Sequence, residues 1–240
     1  MPASHRLQPV TPMNRAYFTP ATFDFLTELA ANNNRDWFAA NKPRYEGDVK
    51  APALRFISDF GPHLARIGPR FRADPRANGG SLFRIYRDTR FSRDKSPYKT
   101  HTGIHFRHEA AKDAHAPGFY LHLEPDTVFV GCGIWRPGGP ALRKIREAID
   151  EDPDAWLRAS RDEGFRASFE LEGDSLIRAP KGFSVDHPLI VDLRRKDFIG
   201  VAHLSEEAVA SEGFLETFAG LCRAAAPFQR WLCGALGVGY

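Results

Sequence analysis

The chain has 240 residues, of which 42% are hydrophobic and 12% aromatic, a composition that supports a sizeable buried core. Its formal net charge of +3 is too small to imply nucleic-acid binding by itself, so any electrostatic argument must be local. Three cysteines without C-x-x-C spacing argue against a disulfide framework and a cysteine-based zinc site. No apolar signal core or 18-residue apolar stretch is present. We therefore expect a soluble cytoplasmic protein without a membrane-spanning segment.

The N-terminal third of the chain has a helical pattern. Thr19 followed by Pro20 is typical of a helix start, and apolar residues then recur at helical intervals. Asn34 is suited to cap a second helix, and Pro43 predicts a kink or break within it. A third helix is predicted to begin near Asp48.

The middle of the chain changes to the two-residue period of β-strands. Ser81–Tyr86 is predicted to be a strand, and three further β-rich runs follow over residues 102–107, 118–124 and 127–135. The short connection Glu124-Pro125-Asp126 favours an antiparallel hairpin between the last two runs. The pattern is that of a meander.

The last third of the chain returns mainly to helices. Helices are predicted over residues 140–150, 153–162, 186–194, 206–225 and 228–236, and strands over residues 165–171 and 198–203. Helices interleaved with an antiparallel sheet indicate an α+β fold, with a central meander flanked by N-terminal and C-terminal helices. We expect a mobile tail over residues 1–16 and a single domain over residues 17–240.

The most informative feature is the charged segment, Arg84–Thr100, which carries a local charge of +4. Its cations are Arg84, Arg87, Arg90, Arg93, Lys95 and Lys99, and its carboxylates are Asp88 and Asp94. Arginine and lysine side chains together are well suited to phosphate or carboxylate ligands. Phe91 and Tyr98 indicate that part of the segment is anchored to a core. The pattern predicts an anion-binding site, with a salt-bridged structural loop as the alternative.

These patterns assign candidate roles to individual side chains. The candidate ligand-binding residues are Arg84, Arg87, Arg90, Lys95 and Lys99, extended by Trp37 and Arg146. The candidates for orientation or proton transfer are Asp88, Asp94, Tyr98, His122 and Glu124. For Trp37 the alternative is an ordinary core aromatic beside a helix cap.

A second candidate feature is a polar sheet face. Strand alternation puts His101 and His105 on one face, and Tyr120, His122 and Glu124 on one face of the next strand. If the two faces coincide, they form either a polar pocket floor or a His/His/Glu metal site. An ordinary solvated sheet face is the third alternative. Because no H-E-x-x-H or H-x-H motif occurs, we predict no metal site.

Several groups of residues resemble the family called domain of unknown function 2461. They are residues 33–38 (Asn-Asn-Arg-Asp-Trp-Phe), Arg84–Asp88 continuing to Lys99-Thr100, Tyr120–Pro125, Gly133–Trp135 with Arg146, and Pro180–Phe183. The resemblance extends from about Phe18 to the C-terminus. It implies a single-domain soluble protein and implies no activity, cofactor or catalytic residue.

The leading hypothesis is a pocket for an anionic, phosphate-bearing ligand. An enzyme that acts on a nucleotide, a sugar phosphate or a nucleic-acid end would fit such a pocket. One alternative is a non-catalytic module that binds nucleic acid or an acidic partner. The other is a purely structural salt-bridge network. The standard phosphate-loop, dinucleotide and G-x-S-x-G motifs do not occur.

Overall fold

The computed structural model describes residues 16–110 and 116–240. It confirms the α+β class, because a five-stranded antiparallel sheet has helices on both sides. Except for Ala16, the tail predicted over residues 1–16 lies outside the described residues. None of the described helices combines the length and the apolar character that crossing a lipid bilayer requires.

The N-terminal third is helical, as predicted. Its elements are α1 (Pro20–Ala31), α2 (Arg35–Arg44), a π-helical segment (Tyr45–Lys50) and α3 (Ala51–Ile67). Asn34 caps α2, since its Oδ1 accepts a hydrogen bond of 2.9 Å from the Trp37 N–H. Pro43 lies inside α2, one residue before its end. The helical path continues beyond Pro43 with π-type hydrogen bonding, so the predicted break is a change of helix type.

The sheet contains the predicted meander and two further strands. Its strands are β1 (Thr102–Arg107), β2 (Gly118–Glu124), β3 (Thr127–Ile134), β4 (Glu170–Glu172) and β5 (Phe198–Leu204), in the order β1-β2-β3-β5-β4. The hairpin between β2 and β3 is confirmed, with Glu124 paired to Thr127. In the pairing of β1 with β2, Gly103 lies opposite His122 and His105 lies opposite Tyr120.

The predicted strand over Ser81–Tyr86 is wrong. This stretch is extended but makes only isolated bridges, Leu82 with Ile104 and Tyr86 with Tyr98. It follows the outer edge of β1 for a few residues, and it then leaves the sheet to pair with the returning part of the charged segment. A regular ladder therefore does not form.

The C-terminal half contains seven helices among the described residues. They are α4 (Gly139–Glu151), α5 (Pro153–Ser160), α6 (Glu163–Ser168), α7 (Ile190–Leu193), α8 (Glu206–Val209), α9 (Phe214–Ala224) and α10 (Ala226–Leu236). The strand predicted over residues 165–171 is mostly wrong, because α6 precedes the short β4. Phe165 and Phe169 stack with ring centroids 5.4 Å apart, and their four-residue spacing fits both a helix and a strand. The single helix predicted over residues 206–225 is divided into α8 and α9.

The two faces of the sheet have different surroundings. One face packs its apolar side chains against the main core, where Phe56, Phe60 and Phe218 contact Phe106 of β1. The opposite face carries the predicted polar and aromatic side chains. A second, smaller core contains Phe25, Leu26, Leu29, Phe38, Tyr45, Val49, Ile85 and Tyr98. It joins α1 and α2 to the charged segment and thereby fixes this segment beside the polar face.

Candidate functional site

The charged segment forms an irregular excursion whose two ends are held together. The Arg87 N–H donates to the Pro97 carbonyl at 2.9 Å, and the Lys99 N–H donates to the Ile85 carbonyl at 2.8 Å. Between these bonds the chain forms an exposed tip. The base of the excursion therefore has fixed geometry, whereas the tip projects from the protein.

Tyr98 anchors the base, as predicted. Its ring is 5% exposed and stacks on Phe38 with centroids 4.1 Å apart. The side-chain amide of Asn33 accepts from the Tyr98 N–H at 3.1 Å and donates to its carbonyl at 3.0 Å. Burial raises the pKa of the Tyr98 phenol. The prediction that Phe91 is also anchored is wrong, because this side chain is 95% exposed.

Ion pairs within the segment compensate part of its charge. Asp88 accepts from Arg90 at 2.7 Å, and this hydrogen bond lowers the pKa of Asp88 to about 2. Asp94 accepts hydrogen bonds from Ser96 and from Arg87, which hold the pKa of Asp94 well below its usual range. Both pairs lie at the surface. The carboxylates therefore orient neighbouring cations and are poorly suited to release or accept protons near neutral pH.

A groove of about 400 Å³ lies between the end of α1 and the base of the charged segment. Its lining residues are Ala30, Asn33, Arg87, Asp94, Ser96, Tyr98, Lys99, Thr100 and His101. Lys99 is half-buried and lies over the Phe83 ring at 5.3 Å. Burial lowers the pKa of Lys99, and the charge of Arg84 lowers it further. Among the described residues, no carboxylate forms a salt bridge with Lys99.

The polar sides of β1 and β2 lie on the same face of the sheet, and this face meets the groove at His101. The Tyr120 hydroxyl lies 3.0 Å from His122 Nδ1, and His122 Nε2 lies 3.1 Å from Glu124 Oε2. The other oxygen of Glu124 accepts from the Thr100 hydroxyl at 2.9 Å. The rings of His101 and His122 lie 4.6 Å apart. The result is a connected chain of polar groups at one end of the groove.

This polar face is not an ordinary solvated sheet surface. His105 and His122 are buried, and Phe83 covers His105 and Tyr120 with ring centroids 6.0 Å from each. Gly103 gives Tyr120 the space that it occupies, since a β-carbon at Gly103 would lie 2.5 Å from the Tyr120 hydroxyl. The close approach of the hydroxyl to His122 therefore depends on glycine in the neighbouring strand.

Burial determines the protonation of the cluster. Burial, together with the neighbouring imidazole of His122, lowers the pKa of His101 to about 4. Burial also lowers the pKa of His122, although Glu124 opposes this effect. Partial burial would raise the pKa of Glu124, but hydrogen bonds from His122 and Thr100 outweigh it, and the pKa lies below its usual value. Neutral imidazoles beside a carboxylate can exchange protons with a bound ligand or coordinate a cation.

The remaining predicted site residues lie outside the groove lining. Trp37 packs on Phe25, with ring centroids 5.7 Å apart, at the edge of the second core. Arg146 donates to the carbonyls of Leu193 and Arg195 at 2.7 and 3.0 Å, so it holds the end of α7. The exposed tip carries Arg90 and Lys95, and Arg84 is exposed near Lys99.

Sequence reasoning missed three residues that shape the site. Asn33 lies at the predicted helix junction, where the alternatives are a helix cap and a pocket rim, and neither predicts that its amide fixes the backbone of Tyr98. Thr100 was only the end of the charged segment, yet it orients Glu124. Tyr120 was placed on the correct face but was given no role. Strand alternation was the one signal that could have linked Tyr120 to His122.

The structure is thus that of an α+β protein with a cationic groove beside a histidine-containing face of the sheet. The chain belongs to the family described as "Conserved hypothetical protein (DUF2461)", whose family model matches residues 21–231. The resemblance deduced from the sequence motifs is thereby confirmed. A search of curated proteins and a search of solved structures each gave no match.

Proposed function

We propose that the groove binds a small anionic ligand that carries a phosphate group. The observation that carries this proposal is Lys99, a half-buried cation in the groove lining that forms no salt bridge with a described carboxylate. A bound anion would restore the favourable interaction that burial takes from the Lys99 ammonium group. The Asn33 amide lines the same groove, and the second hydrogen of its NH₂ group can donate to such a ligand. The hydroxyl groups of Ser96 and Thr100 also line the groove, but they already donate to Asp94 and Glu124.

The cluster at the end of the groove supports a catalytic version of this proposal. His122 lies between a phenol and a carboxylate, which is a suitable arrangement for general acid–base catalysis. The substrate would be a nucleotide, a sugar phosphate or a nucleic-acid end, with Lys99 holding the phosphate. In the non-catalytic version, the same groups only bind the ligand. A cytoplasmic location, predicted from the sparse cysteines, belongs to this proposal as well.

The proposal is tested by ligand-dependent thermal stability. Inorganic phosphate, a nucleoside monophosphate and a sugar phosphate are added separately at constant ionic strength. A ligand at 100 times its Kd is expected to stabilise the wild-type protein by about 2.7 kcal/mol. Lys99→Met keeps most of the apolar part of the side chain but removes the ammonium group that lies over Phe83. The ligand-dependent stabilisation should therefore disappear.

Lys95→Met is the matched control for this experiment. Lys95 belongs to the same segment, but its ammonium group donates to the Thr89 carbonyl at the tip, outside the groove lining. This variant should respond to the ligands as the wild-type protein does. The same loss of stabilisation in both variants would indicate a diffuse charge effect and contradict a specific anion site. The absence of any ligand-dependent stabilisation in the wild-type protein would also contradict a specific anion site.

One observation favours a second candidate function, the binding of single-stranded nucleic acid by the tip. Phe91 is 95% exposed, and the Arg90 guanidinium lies 5.8 Å from the centre of its ring. Exposed aromatic rings beside cations are typical of surfaces on which bases stack. Fluorescence anisotropy with a labelled oligonucleotide should show affinity that falls steeply with salt, is lost in Phe91→Ala and is kept in Phe91→Tyr. A salt-independent signal, or equal binding by Phe91→Ala, would exclude this function.

A further inference from the structure

Three side chains at the end of the groove form a compact set of metal-ligand atoms. One ligand atom from each of His101, His122 and Glu124 lies within 4.8 Å of the other two. His122 and Glu124 are two residues apart in β2 and so lie on the same face, and His101 immediately precedes β1. Because Thr102 pairs with Leu123, the antiparallel register brings His101 next to Glu124. Sequence motifs alone, which predict no metal site, do not contain this register.

We propose that His101, His122 and Glu124 bind a divalent transition-metal ion, with Zn²⁺ as the preferred occupant. Two imidazoles and one carboxylate are a known ligand set for catalytic zinc. Bonds of about 2.0–2.1 Å in a tetrahedral site place ligand atoms about 3.3 Å apart. His122 Nε2 and Glu124 Oε2 already lie 3.1 Å apart. The ligand atom of His101, within 4.8 Å of the other two, would complete the site by moving closer to them.

Outer hydrogen bonds already orient two of the three ligands. When Nε2 of His122 binds the metal, Nδ1 carries the proton and its N–H can donate a hydrogen bond to the Tyr120 hydroxyl, 3.0 Å away. The Glu124 oxygen that does not face His122 is held by the Thr100 hydroxyl. Supporting groups of this kind fix ring orientation and carboxylate geometry in metal sites. An accidental cluster of surface side chains would not require them.

Three protein ligands leave at least one coordination position open. His101 and Thr100 both line the groove, so the site lies at its end. A metal ion there could bind a water molecule or an oxygen atom of a groove ligand. The inference rests on the side-chain cluster and does not require the anion site at Lys99, although a metal-bound His122 would no longer serve as the general acid–base group. Zinc binding is measured without phosphate, so failure of one proposal leaves the other intact.

The experiment is a Zn²⁺ titration of the full-length, chelator-treated protein by calorimetry, with Co²⁺ absorption as a report on coordination geometry. The wild-type protein should bind one equivalent of Zn²⁺ at the site and show the visible bands of four- or five-coordinate Co²⁺. His101→Gln and Glu124→Gln should each weaken Zn²⁺ binding by more than about 100-fold. Tyr120→Phe, which removes only an outer hydrogen bond, should weaken it by about 10- to 100-fold.

His203→Gln is the matched control. His203 is exposed on the same sheet and lies 3.0 Å from Glu172, which makes it a histidine–glutamate pair outside the proposed ligand set. This variant should retain wild-type Zn²⁺ affinity at the site. Circular dichroism establishes that each variant is folded. The absence of saturable Zn²⁺ binding in the wild-type protein, or equal affinity in wild type, His101→Gln and Glu124→Gln, would overturn the proposal.

Discussion

Gly133→Ala is expected to lower the free energy of unfolding by about 3–5 kcal/mol, the combined cost of overpacking and of a strained backbone. Gly133 has φ +111°, a conformation that side chains strongly disfavour. A β-carbon there would lie 2.1 Å from the Phe198 carbonyl oxygen and 3.0 Å from the Phe228 ring. Neither β3 nor β5 can move aside easily, because residues 128–134 of β3 pair with β5 along its full length.

Gly131→Ala provides the control in the same strand. Its added β-carbon would make ordinary contacts of 3.6–3.9 Å with Tyr120 and Phe129, and its φ is not positive. Urea denaturation monitored by tryptophan fluorescence should place Gly131→Ala near the wild-type protein and Gly133→Ala far below it. If both variants were equally stable, the close approach of β3 and β5 at Gly133 would be wrong. The expected result, a large loss of stability in Gly133→Ala alone, would also assign a structural role to the Gly133–Trp135 motif.

The second large effect is expected from His105 in mild acid. This imidazole is buried beneath Phe83, and burial, together with the nearby charge of Arg107, lowers the pKa of His105 to about 4. An unfolded histidine has a pKa of about 6.5. As the pH falls below 6.5, the unfolded state therefore binds a proton before the folded state does. His105 should remove about 3 kcal/mol of stability between pH 6.5 and pH 4, and no more below pH 4.

His105→Gln separates this titration from packing. At pH 7.5 the imidazole is neutral in both states, so a difference between variant and wild type at this pH reports packing alone. Between pH 7.5 and pH 4 the variant should lose about 3 kcal/mol less than the wild-type protein, as measured by urea denaturation with a metal chelator present. Some pH dependence should remain, because the pKa of His101 is also lowered to about 4. Identical pH profiles for the two proteins would contradict a buried, neutral His105.

The ion pairs of the charged segment are largely exposed to solvent. A buried network would make any single substitution severely destabilising. In the structure, however, the side chains of Arg90 and Asp88 are 77% and 45% exposed, and the Asp94 side chain is 59% exposed. Solvent screens such pairs strongly. Tyr98, Asn33 and Phe38 anchor the segment, and its exposed ion pairs are expected to add little to the stability of the protein.

Local sequence patterns determined much of the architecture. Alternation of apolar and polar residues gave the bounds of β1 and β2, and the caps at Thr19 and Asn34 gave the starts of α1 and α2. These signals are reliable because each depends on hydrogen bonds or burial within a few neighbouring residues. The same local reasoning failed over Ser81–Tyr86. This stretch leaves β1 and pairs with the returning part of the charged segment, which a local pattern does not reveal.

The charge of Arg84–Thr100 and the two-residue spacing of His122 and Glu124 were properties of the sequence itself. Only the tertiary structure decided which charges are compensated at the surface and which cation, Lys99, is half-buried in a groove. It also decided that His101 meets Glu124, because strand register depends on hydrogen bonds between residues distant in the chain. Composition fixes the amount of charge, whereas burial and register determine what that charge can bind.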